Sequence, residues 1–167
     1  MQIDNCGIKM SLVHKDDLYE TPPWLVTHIK NWTATPITLD VCATPGNAIA
    51  PNYFTEEDNA LNQSWKTEGL AFCNPPRSKN GAFVTKAISE WRNGQDIAIL
   101  MCWSDFGTNY GAPLFDEYEM CGRYNEYGER HIEIHNLGRV GFFKGGKPTA
   151  HKSRNGYLWL YMGRKKQ

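Results

Sequence analysis

The sequence predicts an α/β fold: a mostly parallel sheet that finishes in an antiparallel C-terminal hairpin, within one compact domain spanning residues 1–167. Three observations point there. The apolar runs Leu70-Ala71-Phe72-Cys73 and Ile97 to Cys102 flank a segment, Gly81 to Trp91, in which Phe83, Ala87, Ile88 and Trp91 share one helical face. Strand, helix, strand in that order joins parallel neighbours through a right-handed crossover. The C-terminal part instead alternates β-prone runs with turns, as hairpins do. Finally, 167 residues that are 41% hydrophobic suffice for one core and leave little for a second.

Residues 1–18 read as an N-terminal extension. Trp24, Leu25, His28, Ile29 and Trp32 then have helical spacing behind Pro22-Pro23, with Thr21 as the expected N-cap. Ile37 to Cys42 is a short buried strand closed by Ala43-Thr44-Pro45-Gly46-Asn47, a tight turn where α/β sheets present ligand sites. The strand Leu70–Cys73 stops at Asn74-Pro75-Pro76, because two prolines cannot extend a central strand. Further strands are expected at Glu119-Met120-Cys121, His131 to His135, Val140 to Phe143 and Tyr157 to Tyr161. Gly145-Gly146-Lys147 is a hairpin turn rather than a phosphate loop. Trp24, Trp32, Trp91 and Trp159 are expected in the core.

No window approaches the roughly 18 unbroken apolar residues of a membrane helix, and Met1-Gln2-Ile3-Asp4 lacks the order of a signal peptide, so a cytoplasmic protein is expected. Cys6, Cys42, Cys73, Cys102 and Cys121 form no Cys-x-x-Cys pair and read as reduced, small apolar residues. His131, Glu133 and His135 share a strand face; three ligands so close on one strand rarely converge on an ion, so a polar face and no metal site is the reading.

A formal net charge of zero conceals a split. From Arg123 onward ten basic residues stand against three acidic ones, a net +7 balanced by −7 before it. Arg139, Lys144, Lys147, Lys152 and Arg154 are candidates to follow phosphates, as are Arg123, Tyr124 and Arg130 in a hairpin over 122–136, with a basic tail at 163–167. A solvated basic surface would have the same composition.

The chemistry concentrates in Asn74-Pro75-Pro76-Arg77. A planar aromatic amine is a poor nucleophile because its lone pair is delocalised into the ring. An Asn side-chain oxygen and the following backbone carbonyl, held by stiff prolines, can accept from both N–H groups and favour charge build-up on nitrogen. Alone, the tripeptide also makes an ordinary turn. Its position after a buried strand, downstream of a strand containing Asp40, favours a site.

Four ordered blocks resemble the phage DNA N6-adenine methyltransferases called Dam-like: Tyr19-Glu20-Thr21-Pro22, Leu39 to Thr44, Tyr53 to Leu61 with Trp65, and Phe72 to Pro76. The resemblance implies a Rossmann-like class I methyltransferase that moves a methyl group from S-adenosylmethionine to N6 of adenine in double-stranded DNA, with protection from restriction as its purpose. It implies that Thr21, Pro22, Asp40, Cys42 and Ala43 surround the methionine part of the cofactor, and that Asp58 and Asn59 lie near its adenosine part. Asn74, Pro75, Pro76 and Arg77 become the catalytic block. Arg77 departs from the pattern, since many such enzymes place there an aromatic residue that stacks on the extruded base. A guanidinium can stack or hold a phosphate. The departure leaves room for a non-catalytic nucleic-acid or partner-binding module, and the acceptor pair alone would also serve an amine in RNA, protein glutamine or a modified base.

Overall fold

The computed structural model describes residues 15–119 and 130–164. Helix α1 (Pro23–Thr33) precedes strands β1 (Ile37–Asp40), β2 (Asn52–Tyr53) and β3 (Leu70–Cys73), and α2 (Asn80–Arg92) leads to β4 (Ile97–Cys102). Helix α3 (Ala112–Glu119) comes before β5 (Arg130–Gly138), the small pair β6 (Phe143–Lys144) and β7 (Lys147–Pro148), and β8 (Tyr157–Arg164). The main sheet has the order β2-β1-β3-β4-β8-β5. Pairing is parallel from β2 through β4 and antiparallel at β4–β8 and β8–β5. This is the expected mostly parallel sheet with an antiparallel finish.

Both faces of the sheet are covered, which explains why every residue of β3 and β4 is buried and why their sequences read as unbroken apolar runs. Successive side chains alternate between two cores. Ile97, Ile99 and Met101 join Leu158, Leu160 and Met162 against Val84, Ala87 and Trp91 of α2. Ala98 and Leu100 join Trp159 and Tyr161 against Leu25 and Ile29 of α1. None of the described helices is long and apolar enough to cross a membrane.

Several expectations need correction. Pro22, not Thr21, is the N-cap of α1, and no side chain caps that end. Leu25, Ile29 and Thr33 face the core, whereas Trp24 and Trp32, one residue and thus about 100° around the helix, are 50% and 43% exposed. The Trp32 indole donates instead to Glu133 of β5 at 3.0 Å. Strand β1 ends at Asp40, Glu119 closes a helix, and of Val140 to Phe143 only Phe143 is in a strand. Met120 and Cys121 lie outside the described residues. Gly145 and Gly146 have φ of 59° and 73°, the conformation that a two-residue hairpin turn between β6 and β7 requires.

Direction decides what gathers where. Cys102 pairs with Tyr157, and Gly138 pairs with the same Tyr157, so the carboxyl ends of β1, β3 and β4 share an edge with the start of β8 and the end of β5. That edge carries the site.

The approach of β3 to β1 is tight. A Cβ on Gly69 would lie 2.4 Å from the Pro36 carbonyl oxygen and 2.8 Å from Thr38. Gly69→Ala should lower stability by about 2 kcal/mol, seen as a lower urea midpoint. Gly107→Ala, where nothing lies within 4 Å, should leave the midpoint nearly unchanged.

Candidate active site

A cavity of about 590 Å³ opens at this edge. Val41 to Thr44, Asn47 and the segment around Asn59-Ala60-Leu61 line one flank, Asn74 to Asn80 the middle, and Phe142, Lys144 and Tyr157 the other flank. Asp17 to Glu20 also line it.

Asn74 follows β3 directly, and its side-chain nitrogen donates to the Thr21 hydroxyl at 3.1 Å and to the Tyr19 carbonyl at 3.4 Å. A carbonyl can only accept, so the amide orientation is determined, and Oδ1 is the end left to accept from a ligand. Asp17 holds the same motif from further along, accepting from the Ser78 backbone N–H at 2.9 Å and from its hydroxyl at 2.5 Å. Glu20 accepts from the Gly145 and Gly146 N–H groups at 2.9 and 3.0 Å, and its backbone bridges to Phe143. Residues 17–21 therefore fasten the β3 end to the β6–β7 hairpin.

Arg77 is fastened too. Its Nη1 reaches both oxygens of Asp105 at 2.9 and 3.0 Å. Asp105 is 1% exposed and accepts further bonds from Asn80 Nδ2, the Cys102 N–H and the Tyr110 hydroxyl, at 2.7, 2.9 and 2.9 Å. Burial works most strongly against the charge on Arg77, but Asp105, Cys102 and Tyr157 together outweigh it and raise its pKa. The guanidinium lines the cavity while serving as an internal counter-ion.

Of the residues assigned to cofactor binding, Cys42, Ala43 and Asn59 line the cavity, and Thr21, Pro22, Asp40 and Asp58 do not. Asp40 is buried, with its two oxygens accepting from the N–H groups of Cys42 at 3.3 Å and Ile49 at 3.2 Å, which ties down the loop after β1. Burial pushes its pKa up to about 6, against the opposing pull of those two bonds. Asp58 is turned to the Thr55 N–H and hydroxyl at 2.8 and 2.7 Å, bonds that lower its pKa. The Cys42 and Cys73 thiols lie 3.9 Å apart, and burial, followed by Cys73, drives the Cys42 thiol well above its ordinary value.

The basic candidates separate by position. Lys144 lines the cavity, and Arg139, Lys147, Lys152 and Arg154 are exposed on the segments between β5 and β8 at the same edge. Arg139 donates to the Ser153 carbonyl at 2.7 Å. Arg130 is at the opposite edge, paired with Arg164 across β5–β8, donating to Gln95 O at 3.0 Å and lying over the Trp91 ring. Arg123 and Tyr124 lie outside the described residues. Glu133 is hydrogen-bonded to His131 and has His135 Nε2 at 3.4 Å, so the three side chains share one polar strand face. Among the described residues no cluster of three or more His, Cys, Asp or Glu is placed to hold a metal ion.

Residues 10–155 match the family model described as DNA N-6-adenine-methyltransferase (Dam). The chain belongs to the Dam family. It is similar to the DNA N-6-adenine-methyltransferase of Escherichia phage T1, 27% identical over 85 residues that make up 51% of this chain and 35% of that relative, so the aligned stretch spans about a third of the relative's length. The family match takes in the whole cavity lining of this Dam-family chain except Tyr157.

Sequence reasoning missed Asp17, Tyr19, Asp105, Phe142 and Tyr157. An aspartate between Trp103 and Phe106 carries no period or motif, and only the β4 terminus beside the β3 terminus marks it.

Asp105→Ala leaves the Asn80 amide, the Cys102 N–H and the Arg77 charge without their acceptor and should cost roughly 3–5 kcal/mol in denaturant unfolding. Asp40 keeps its proton to a higher pH in the folded state than in the unfolded chain, so its contribution to stability is full below about pH 4 and is lost as pH rises toward about 6. The stability difference between wild type and Asp40→Asn, measured at pH 4.5 and 6.5, should shift against wild type at the higher pH.

Proposed function

We propose that this chain is an S-adenosylmethionine-dependent DNA adenine-N6 methyltransferase with a Rossmann-like class I core, acting on double-stranded DNA. The observation that carries the reading is the orientation of Asn74: an amide at the carboxyl end of a buried parallel strand, its nitrogen tethered and its oxygen left as acceptor beside a ligand-sized cavity.

The lining suits the cofactor. The Glu56 carboxylate, on the β1 flank, complements a cationic ligand, while Ala60, Leu61 and Phe83 offer apolar surface to a purine. The loop Val41 to Asn47 and the segment Thr55 to Leu61 would hold it, on the β1 side of Asn74. When bound, S-adenosylmethionine supplies a methyl group already activated on a sulfonium.

The protein's task is to orient the acceptor amine. Asn74 Oδ1 and the Pro75 carbonyl would each accept one of its N–H groups, which draws electron density onto nitrogen along the line of attack. Pro75 and Pro76 hold that pair in place because their φ angles are locked. Arg77, through Asp105, anchors the motif to β4 rather than meeting the base, so its departure from the usual aromatic is compatible with activity. The exposed Arg139, Lys147, Lys152 and Arg154 would neutralise phosphates of the duplex without reading sequence.

Transfer of labelled methyl from S-adenosylmethionine to unmethylated duplex DNA tests the reading, followed by identification of the methylated nucleoside. Asn74→Ala should lose at least ~100-fold in rate. Thr21→Val, which releases the amide without removing it, should lose roughly 10-fold, the worth of one hydrogen bond. Cofactor affinity should hold in that variant, and Thr21→Ser should recover most of the rate. A wild-type protein that binds DNA but neither binds nor uses the cofactor would refute the assignment.

A further inference from the structure

A base presented to Asn74 by its amine needs a surface for its ring, and extruded bases are generally held by stacking on aromatic side chains. Position 77 offers no aromatic ring, and its guanidinium is anchored to Asp105. The cavity nonetheless has an aromatic wall. Tyr19 lies parallel to Phe142, with centroids 5.4 Å apart and planes 6° from parallel, and Phe142 meets Tyr157 edge to face at 4.8 Å. All three line the cavity.

We infer that Tyr19 is the residue on which the target base stacks, with Phe142 as its backing and Tyr157 closing the wall. This rests on the function proposed above and adds to it the place of the substrate ring. Topology supports the side. In the sheet order, β3 with Asn74 stands between β1, whose following loop lines the cofactor flank, and β4–β8, whose edge carries Tyr157. An acceptor must approach a methyl donor from the flank the donor does not fill, and that is the Tyr157 flank. Charge supports it as well: from Ile134 to Arg164 the chain has no acidic residue, and this segment supplies Phe142, Lys144 and Tyr157 to the lining. The polyanion and the aromatic wall therefore share a side.

Local bonding supports Tyr19 over its neighbours. Its carbonyl accepts from Asn74 Nδ2, so ring and acceptor amide are coupled through one residue. Tyr19 is half-buried and lines the cavity, and Phe142 covers one face of its ring; the opposite face is the one the base would take. Phe142 itself is 3% exposed and can only back the wall.

The test uses duplex DNA with 2-aminopurine at the target position, compared for wild type, Tyr19→Ala and Tyr19→Phe, together with methyl transfer and cofactor binding. The extruded probe should be quenched by the wild-type ring and by Tyr19→Phe, and should brighten in Tyr19→Ala. Turnover in Tyr19→Ala should fall roughly 10- to 100-fold, the scale of one lost base–aromatic contact, and return in Tyr19→Phe, with cofactor affinity and thermal midpoint of the two variants compared as a control for folding. Unchanged probe signal and turnover in Tyr19→Ala, or a Tyr19→Phe as impaired as Tyr19→Ala, would overturn the inference while leaving an active wild type and its assignment intact. A wild type that transfers no methyl group to DNA would instead overturn the assignment beneath it.

Discussion

One buried carboxylate holds the working edge of this molecule together. Asp105 collects hydrogen bonds from the residue after the two prolines, from the first residue of α2, from the last peptide of β4 and from Tyr110 just before α3. Four separate pieces of chain thus converge on two oxygens. A charge with 1% exposure is tolerable only when it is both paired and fully hydrogen-bonded, and each condition here is met by a different element. The arrangement is therefore mutually dependent. Gly111 illustrates how closely it is drawn, since a Cβ there would lie 1.9 Å from the Asp105 carbonyl oxygen.

A second set of contacts approaches the same edge from far away in sequence. Asp17, Tyr19, Glu20 and Thr21 reach residues 53 to 126 positions downstream, and these bonds end on the Asn74–Ser78 motif or on the β6–β7 hairpin at Phe143, Gly145 and Gly146. Asp105 fixes the motif from the β4 side; the 17–21 segment fixes the one torsion that matters chemically, the direction of the Asn74 amide. A free primary amide has two nearly isosteric orientations, and only an acceptor-only partner such as a backbone carbonyl separates them decisively. Tyr19 supplies that carbonyl.

Much of the frame was legible in the chain. Leu70–Cys73 and Ile97–Cys102 declared themselves as buried strands because both faces of the sheet are covered, and the prolines after Cys73 marked the strand end that carries the site. Local spacing, however, cannot report direction. Arg130 and Arg139 belong to one strand-length stretch, yet β5 runs antiparallel to its neighbour β8, so Arg139 arrives at the site edge and Arg130 at the far one. Trp24 and Trp32 share the period of Leu25 and Ile29 offset by one residue, and apolar character alone does not say which of two adjacent stripes faces inward. Asp40 stands in a block that resembles a cofactor strand, and what no linear pattern shows is that its two oxygens accept from the loop that shapes the cavity.

The same limit applies to Arg77, and there it changes the meaning of the motif. Read linearly, an arginine after Asn-Pro-Pro looks like a lost aromatic. In three dimensions the position is occupied by a structural counter-ion, and aromatic rings reach the cavity from residues 19, 142 and 157, which no linear motif groups together. For the function proposed above, a planar substrate would need a ring face at a given place relative to Asn74, not at a given place in the sequence. Once the Arg77–Asp105 pair ties the end of β3 to the end of β4, that face can come from any segment the tie brings near. Stability at this edge and the freedom to move the aromatic contact elsewhere then have one cause.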